Sequence, residues 1–207
     1  MAVHLVDHPL VHDALQELRD KGTSSAAFRR AAARITTLLA VEALRRVPTM
    51  PVTVETPIGP AHGARVSGEI VIVPVLRAGL GMLEAILALA PQARVGHIGL
   101  QRDEATAVAS QYYAKFPSGL DTSFVLMVDP MLATGGSAIA ALDLLHRAGA
   151  RRVHVVCIVA APEGVAALEL RFPNVQIFTP AIDQGLNAHK FIVPGLGDFG
   201  DRLYGTT

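Results

Sequence analysis

A nine-residue stretch near the middle of the chain, DPMLATGGS, joins a predicted buried strand to a predicted helix. The strand is the apolar run at 123–128, Asp129 follows it, and the helical pattern covers 138–146. Glycines and hydroxyls at 134–137 would leave backbone N–H groups accessible beside the positive end of the helix. Such a turn binds anions, and phosphate is the best match. For TGGS alone, an ordinary turn with a helix cap is the alternative.

β-Branched runs and helical patterns alternate from residue 69 to residue 180. The run EIVIVPV at 69–75 is nearly continuous, which is typical of a parallel strand covered on both faces. Alternation of this kind predicts an α/β fold with a doubly wound, mostly parallel sheet. The further predicted strands cover 94–100, 152–161 and 175–180, and the further helices cover 79–90 and 163–171.

Different patterns flank this core on both sides. Residues 1–50 predict N-terminal helices, and residues 51–67 predict a β-hairpin arm around a Gly and Pro turn. An isolated hairpin is marginal in water, so we expect the arm to pack on a neighbouring subunit. Residues 181–207 form an apolar but glycine-rich loop region that exposes main-chain donors and acceptors. We therefore expect one domain over residues 1–207, with residues 68–180 as its core.

Composition excludes several classes of protein. The 207 residues carry 18 basic and 18 acidic side chains, so net charge gives no reason to expect a nucleic acid or anionic membrane partner. Apolar runs stay far below the roughly 18 residues of a membrane span, and no signal peptide is visible, so we expect a cytoplasmic protein. A hydrophobic content of 51% with 17% charged residues fits surface buried between subunits. The lone Cys157 excludes an internal disulfide and is interpreted as a buried hydrophobe.

Two further segments bear on function, and one histidine pattern does not. Arg77 follows the strand at 69–75, at the sheet edge where open α/β sheets bind ligands; a surface ion pair is the alternative. Residues 103–119 lack periodicity and are predicted to be a long loop or flap. His4, His8 and His12 have the spacing of metal ligands, but Pro9 interrupts the helix they would need, which favours solvated or capping roles.

Several long motifs occur in order along nearly the whole chain: HPLV at 8–11, LRDKGTS at 18–24, VETPIG at 54–59, VPVLRAGLGM at 73–82, DPMLATGGS at 129–137, AAPEG at 160–164 and DQGLNAHKFIVPGLGDFGDRLYGT at 183–206. Through these motifs the chain resembles the uracil phosphoribosyltransferases, which are type I phosphoribosyltransferases. The resemblance implies transfer of the phosphoribosyl group of 5-phosphoribosyl 1-pyrophosphate (PRPP) to uracil, giving UMP and pyrophosphate in pyrimidine salvage. It implies Mg²⁺ as cofactor, held by PRPP and water with no direct protein ligand, and Asp198 is the one alternative protein ligand.

The resemblance also implies a role for each part of the site. Arg77, Asp129 and Asp198 would be catalytic, and Arg102, on the flap, would be a second pyrophosphate-binding arginine. Main-chain groups of the C-terminal loop region would bind the polar edge of uracil. The residues implied to bind PRPP are Arg77, Arg102, Asp129, Pro130, Met131, Leu132, Ala133, Thr134, Gly135, Gly136, Ser137 and Asp198, and those implied to bind uracil are Ile192, Gly197, Asp198 and Phe199.

Some positions depart from the pattern of related enzymes. Pro130 stands where many phosphoribosyltransferases have a second acid, a change that the uracil enzymes share. The flap lacks an expected Glu and Pro at 105–110, and Phe191 replaces a common tyrosine. Phe199 replaces an alanine and would either narrow the base pocket or pack under it.

The expected partners are uracil, PRPP, GTP as a candidate effector, and further copies of the chain in a homodimer or higher oligomer. Two other classes of function are disfavoured. An RNA-binding uracil sensor does not suit the zero net charge or the intact Gly197–Asp198 segment. A P-loop NTPase would need a lysine that PMLATGGS lacks.

Overall fold

The computed structural model describes residues 2–102 and 109–206. The helices are α1 (Pro9–Arg19), α2 (Ser25–Leu44), α3 (Leu80–Leu89), α4 (Gly136–Arg147), α5 (Pro162–Arg171) and α6 (Phe199–Tyr204). The strands are β1 (Ala2–Leu5), β2 (Thr49–Glu55), β3 (Pro60–Val66), β4 (Ile70–Leu76), β5 (Arg94–Val95), β6 (His97–Arg102), β7 (Ala109–Lys115), β8 (Phe124–Val128), β9 (Met131–Leu132), β10 (Arg152–Val156), β11 (Val159–Ala160), β12 (Gln176–Thr179), β13 (Gly185–Leu186) and β14 (Ile192–Val193).

The central sheet has the strand order β1-β12-β10-β8-β4-β6-β7, with β5 also paired to β4. Its pairings are parallel except that of β6 with β7, which confirms the predicted mostly parallel sheet. The chain adds β6 on one side of β4, while β8, β10 and β12 follow one another on the other side. The strand order therefore reverses between β4 and β8, where Pro74 lies opposite Val128. Ligands of open α/β sheets bind at this kind of reversal.

Helices cover both faces of the sheet, as the continuous apolar strands predict. Along β4, Ile72 belongs to the buried cluster that α1, α2 and α3 complete, whereas Val71 and Val73 belong to the cluster under α4 and α5. This alternation follows from the two-residue period of a strand. Each fully buried aliphatic side chain contributes about 1.5–3 kcal/mol, so the two clusters hold the sheet rigid beneath its carboxyl edge. Within the described residues, no helix is both long and apolar enough to span a membrane.

The predicted hairpin arm is confirmed. β2 and β3 pair antiparallel from Thr49 opposite Val66 to Glu55 opposite Pro60. Most of its residues are exposed, and Ile58 at the tip is 98% exposed. Its packing on a neighbouring subunit stays a prediction.

Three expectations about elements need correction. Residues 109–115 of the predicted flap form β7, an edge strand whose exposed Tyr112 and Tyr113 hide any alternation of polar and apolar residues. Residues 103–108 of the same predicted flap lie outside the described residues. The predicted strand at 152–161 divides at Cys157 and Ile158, because the Cys157 amide donates to Phe178 O and the Ile158 amide to Pro130 O. The short edge strand β1 was not predicted.

The C-terminal loop region also contains an unexpected helix. α6 begins after Asp198, whose carboxylate accepts a hydrogen bond from the Asp201 amide at 2.9 Å. It ends at Gly205, which has the left-handed φ of 69°. Both are standard helix-end signals, but the glycines and proline just before them concealed the helix.

Candidate active site

The phosphate loop, defined as residues 129–137, leaves β8 and turns into α4 as predicted. β9 runs parallel to β11, so the loop is tied to the next part of the chain. Gly135 adopts a φ of 83°, which L side chains rarely take, and α4 begins at Gly136. Residues 131–138 line a small concavity at the N-terminal end of that helix. Because main-chain donors and the positive end of α4 meet at this concavity, it can bind a single anion.

The first turn of α5 packs directly under the phosphate loop. A Cβ atom on Gly164 would lie 2.5 Å from the carbonyl oxygen of Ala133 and 2.8 Å from that of Leu132. The Ala161 amide donates to Leu132 O at 2.8 Å. Gly164 is thus a positioning residue that the sequence analysis did not single out, although AAPEG was among the motifs of the resemblance.

Arg77 lies at the carboxyl end of β4, beside the start of the phosphate loop. Gly79 permits this approach, since a Cβ there would lie 2.5 Å from Val128 O. The guanidinium is 3.2 Å from Asp201 Oδ1, and its side chain is 60% exposed. The Tyr204 hydroxyl donates to Arg77 O at 3.2 Å. The ion pair considered as an alternative therefore exists, at the sheet edge that the functional interpretation requires.

The base loop, defined as residues 183–198, lies on the other side of the phosphate loop. Its first residue donates its amide to Ala160 O at 2.8 Å, and Ala160 pairs with Leu132 in β9. Glu163 Oε1 accepts a hydrogen bond from the Leu186 amide at 3.1 Å. Gly195 and Gly197 both have positive φ, at 59° and 79°. Tight turns of this kind bring main-chain groups close to a flat ligand.

Phe199 packs under the base loop instead of narrowing a pocket. Its side chain is 2% exposed, and its ring centroid lies 5.1 Å from that of Phe28, edge to face. A Cβ on Gly81 would lie 3.2 Å from the Phe199 ring, so α3 closes over it. The contact predicted for Phe199 involves its main chain and stays a prediction.

Two arginines outside the predicted site tie the base loop to the end of α1. Arg19 forms an ion pair with Asp183, and both contact Gly195. Arg202 donates to Leu196 O at 2.8 Å, to Asp20 O at 2.5 Å and to Leu18 O. The sequence did not reveal these contacts because every partner except Leu196 lies 164 or more positions away along the chain.

The structure brings the three predicted catalytic residues to one edge of the sheet. Arg77 and Asp129 follow adjacent strands, and Asp198 caps α6, whose Asp201 contacts Arg77.

The other residues considered in the sequence are Arg102, Cys157 and the N-terminal histidines. Arg102 is the last residue of β6, and the predicted role of its side chain lies outside the described residues. Cys157 is fully buried, as predicted, and this burial raises the pKa of its thiol to about 12. His8 caps α1 by accepting from the Leu10 amide, and the described residues contain no cluster of three metal-binding side chains.

Solved structures identify the fold of this protein. Adenine phosphoribosyltransferase from Trypanosoma brucei has a TM-score of 0.59 at 15% identity, over 93% of this chain and 85% of that one. The AQ2163 protein from Aquifex aeolicus has a TM-score of 0.94 at 37% identity, over 99% of both chains. The fold is that of the type I phosphoribosyltransferases.

Sequence comparisons define the family within that class. The profile of the family described as Uracil phosphoribosyltransferase matches residues 5–206. The uracil phosphoribosyltransferase of Dictyoglomus turgidum is 51% identical over 205 residues, covering 99% of both chains. That of Symbiobacterium thermophilum is 50% identical over 205 residues, covering 99% of this chain and 98% of the relative. The chain belongs to the uracil phosphoribosyltransferase family.

Proposed function

We propose that this chain transfers the phosphoribosyl group of PRPP to uracil at a three-part site made of Arg77, the phosphate loop and the base loop. The products are UMP and pyrophosphate. The observation that carries the assignment of residues is the strand reversal between β4 and β8, where Arg77 and Asp129 emerge side by side.

The phosphate loop holds the 5′-phosphate of PRPP. Residues 133–137 offer main-chain N–H groups and hydroxyls at the positive end of α4. Asp129, at the start of the loop, accepts hydrogen bonds from the ribose hydroxyls. PRPP is thereby fixed with its anomeric carbon between Arg77 and the base loop, and this positioning supplies part of the rate enhancement.

Arg77 stabilises the pyrophosphate as it leaves. The anomeric C–O bond breaks, its electron pair stays on the pyrophosphate, and a new bond forms from N1 of uracil, whose proton passes to the released pyrophosphate or to water. The transition state resembles an oxocarbenium ion, as in glycoside hydrolysis. A guanidinium directed at the departing oxygens lowers its energy, and Arg102 is proposed to act with it.

The base loop recognises uracil through main-chain groups at Ile192, Gly197 and Phe199. Uracil presents an acceptor, a donor and an acceptor at O2, N3 and O4. Cytosine places an amino donor where a loop N–H group already points, which leaves two donors facing one another. Unpaired donors in a closed site are costly, so cytosine is rejected.

Phosphoribosyltransferases generally use Mg²⁺ with PRPP, and the residues at this site fit that ion. Asp129 and Asp198 are oxygen donors of the kind that Mg²⁺ takes, usually one or two carboxylates together with substrate phosphates. When bound, the ion neutralises charge on the pyrophosphate. Asp198 uses Oδ1 to cap α6, and we propose that it also contacts the ribose or the metal.

Four broader predictions accompany this assignment. The chain works as a single domain over residues 1–207 and assembles into a homodimer or higher oligomer through its exposed arm. GTP as an effector and a cytoplasmic location are also predicted. Ultracentrifugation, addition of GTP to the assay and cell fractionation test the last three.

The test is UMP formation from uracil and PRPP with Mg²⁺, in the wild type and two variants. Arg77→Ala should lower kcat by about 10²–10³-fold, the cost of losing one stabilising donor in the transition state. Asp198→Asn is informative because Asn caps helices as well as Asp, so lost activity reports lost charge. Consumption of a different base by the wild type, without UMP, would overturn the assignment of substrate, and tight salt-sensitive RNA binding would favour the sensor.

A further inference from the structure

Arg19 and Asp183 form a largely buried, two-pronged ion pair between α1 and the base loop. Nη1 of Arg19 is 2.8 Å from Oδ2 of Asp183, and Nη2 is 2.7 Å from Oδ1. The side chains are 18% and 6% exposed. Paired contacts of this kind fix the orientation of both planar groups.

The same pair holds the Gly195 residue of the base loop from both of its main-chain groups. Nη1 of Arg19 donates to Gly195 O at 2.8 Å, and the Gly195 amide donates to Asp183 Oδ2 at 2.8 Å. A Cβ on Gly195 would lie 2.2 Å from Ile192 O, so the turn between them is as tight as the chain allows. Along the chain, Gly195 lies between Ile192 and Gly197, two of the proposed uracil contacts. The ion pair holds Gly195 in position.

The charges of the pair are maintained inside the protein. Burial alone would raise the pKa of Asp183, but the hydrogen bonds from the Arg19 guanidinium and the Gly195 amide outweigh it and lower the pKa. A buried ion pair adds little net stability compared with apolar residues of the same volume. Its directional geometry is therefore the better explanation of its presence.

We propose that Arg19 and Asp183 are positioning residues for base recognition. They hold the main-chain donors and acceptors of the base loop at the spacing of the polar edge of uracil. They thereby set the affinity for uracil and its discrimination from cytosine. The inference rests on the proposed function, which assigns the base loop to uracil.

A second anchor makes this proposal testable in a folded protein. Arg202 attaches Leu196 to the end of α1 independently of Arg19, and its guanidinium carbon lies 4.5 Å from the centroid of the Phe28 ring. When Arg19 is replaced, the base loop should therefore remain attached to the end of α1 through Arg202, while the turn at Gly195 loses its orientation.

The first experiment compares Arg19→Lys with the control Arg34→Lys. Lysine keeps the charge but lacks the planar fork that contacts Asp183 and Gly195 together. Arg34 also joins α1 to another element, through Asp13 and Glu17, but it does not touch the base loop. We expect Arg19→Lys to raise KM for uracil about tenfold and to lower the preference for uracil over cytosine, with kcat and KM for PRPP within about twofold. The control should match the wild type.

The second experiment separates positioning from folding. The double variant Arg19→Met/Asp183→Leu leaves no unpaired buried charge, so it should fold, with a melting temperature by circular dichroism that is lowered only by the loss of the two hydrogen bonds to Gly195. It should nevertheless show the same selective rise in KM for uracil. Wild-type KM for uracil in either folded variant, or an equal rise in KM for both substrates, would overturn the proposal.

Gly197→Ala, measured alongside, distinguishes this failure from failure of the proposed function. A raised KM for uracil in Gly197→Ala with no change in the Arg19 variants refutes the positioning role and leaves the base loop as the uracil site. Wild-type KM for uracil in Gly197→Ala removes the base loop from uracil binding, and the positioning proposal is overturned with it.

Discussion

The phosphate loop and the base loop lie side by side, but they are built in different ways. The phosphate loop is one continuous strand, turn and helix start, and its shape comes from Gly135 and from main-chain contacts with the neighbouring strand. The base loop has little regular structure and is held by side chains at the far end of the chain, such as Arg19, 176 positions from Gly195.

This difference follows from what each loop is proposed to bind. A phosphate has the same oxygen acceptors in every direction, so any helix start with accessible N–H groups can bind it. The edge of uracil has an alternating order of acceptor and donor, which requires main-chain groups at fixed spacing. A glycine-rich loop cannot keep that spacing by itself, because glycine loses more backbone entropy on ordering than other residues. The N-terminal helix α1, through Arg19, thus becomes part of the proposed base site.

Gly164→Ala should disrupt the phosphate loop and leave the base loop intact. The added Cβ would meet the carbonyl oxygens of Ala133 and Leu132, which are backbone atoms that cannot rotate away. Displacing reactants by about 1 Å can cost about 10²-fold in rate, so kcat/KM for PRPP should fall by that order. The measurement is steady-state kinetics with each substrate varied in turn.

The matched control for that variant is Gly63→Ala on the hairpin arm. A Cβ there has no neighbouring atom of the same chain within 4 Å, so this variant should keep the wild-type kcat/KM for PRPP. A Gly164→Ala enzyme with an unchanged kcat/KM for PRPP would show that the loop tolerates displacement, and the contrast between the two loops would lose its basis.

Asp201→Asn tests the proposed pyrophosphate-binding role of Arg77, and the expected effect is smaller. In the structure Asp201 pairs with Arg77 at 3.2 Å, so Asp201 would compete for the guanidinium with the pyrophosphate that Arg77 is proposed to bind. Exposed ion pairs are worth about 0.2–1 kcal/mol, so removing the competing charge should lower KM for PRPP by about 1.4-fold to fivefold. KM for uracil should not change. A raised KM for PRPP would mean instead that the pair holds Arg77 in its working position.

His154→Phe should change neither loop and should alter only the pH dependence of stability. His154 stacks on Phe124 at 4.5 Å and is 8% exposed. Burial first, then the charges of Arg46, His4 and Arg152, lower its pKa from 6.5 to about 4. As the pH falls from 6.5 to about 4, His154 takes up a proton in the unfolded chain but not in the folded protein. The free energy of unfolding therefore falls as the pH falls through this window.

The wild type should lose about 3 kcal/mol of unfolding free energy across that window through His154. In His154→Phe this part of the pH dependence should be absent. Urea denaturation at several pH values between 7.5 and 4 measures it. Parallel curves for the two proteins would contradict the lowered pKa, and both KM values at pH 7.5 should be those of the wild type.

Much of the fold could be predicted because its strands are apolar throughout. β4 and β8 are covered by helices on both faces, so they contain no polar residue. Such continuous apolar runs can be recognised in the sequence. β7 was missed because an edge strand exposes one side and part of its length, which allows Gln111 and two tyrosines there. α6 was missed because its capping residues follow a loop rich in glycine.

The candidate site divides in the same manner. The sequence by itself determined the phosphate loop and the place of Arg77, since a buried strand followed by a polar residue and a glycine turn is read from contiguous positions. Only the tertiary structure decided that Asp201 pairs with Arg77, that Phe199 packs under the base loop, and that Arg19 and Asp183 hold Gly195. Long-range pairs leave no periodic signal, because a side chain can meet any segment that the folded sheet brings within a few ångströms.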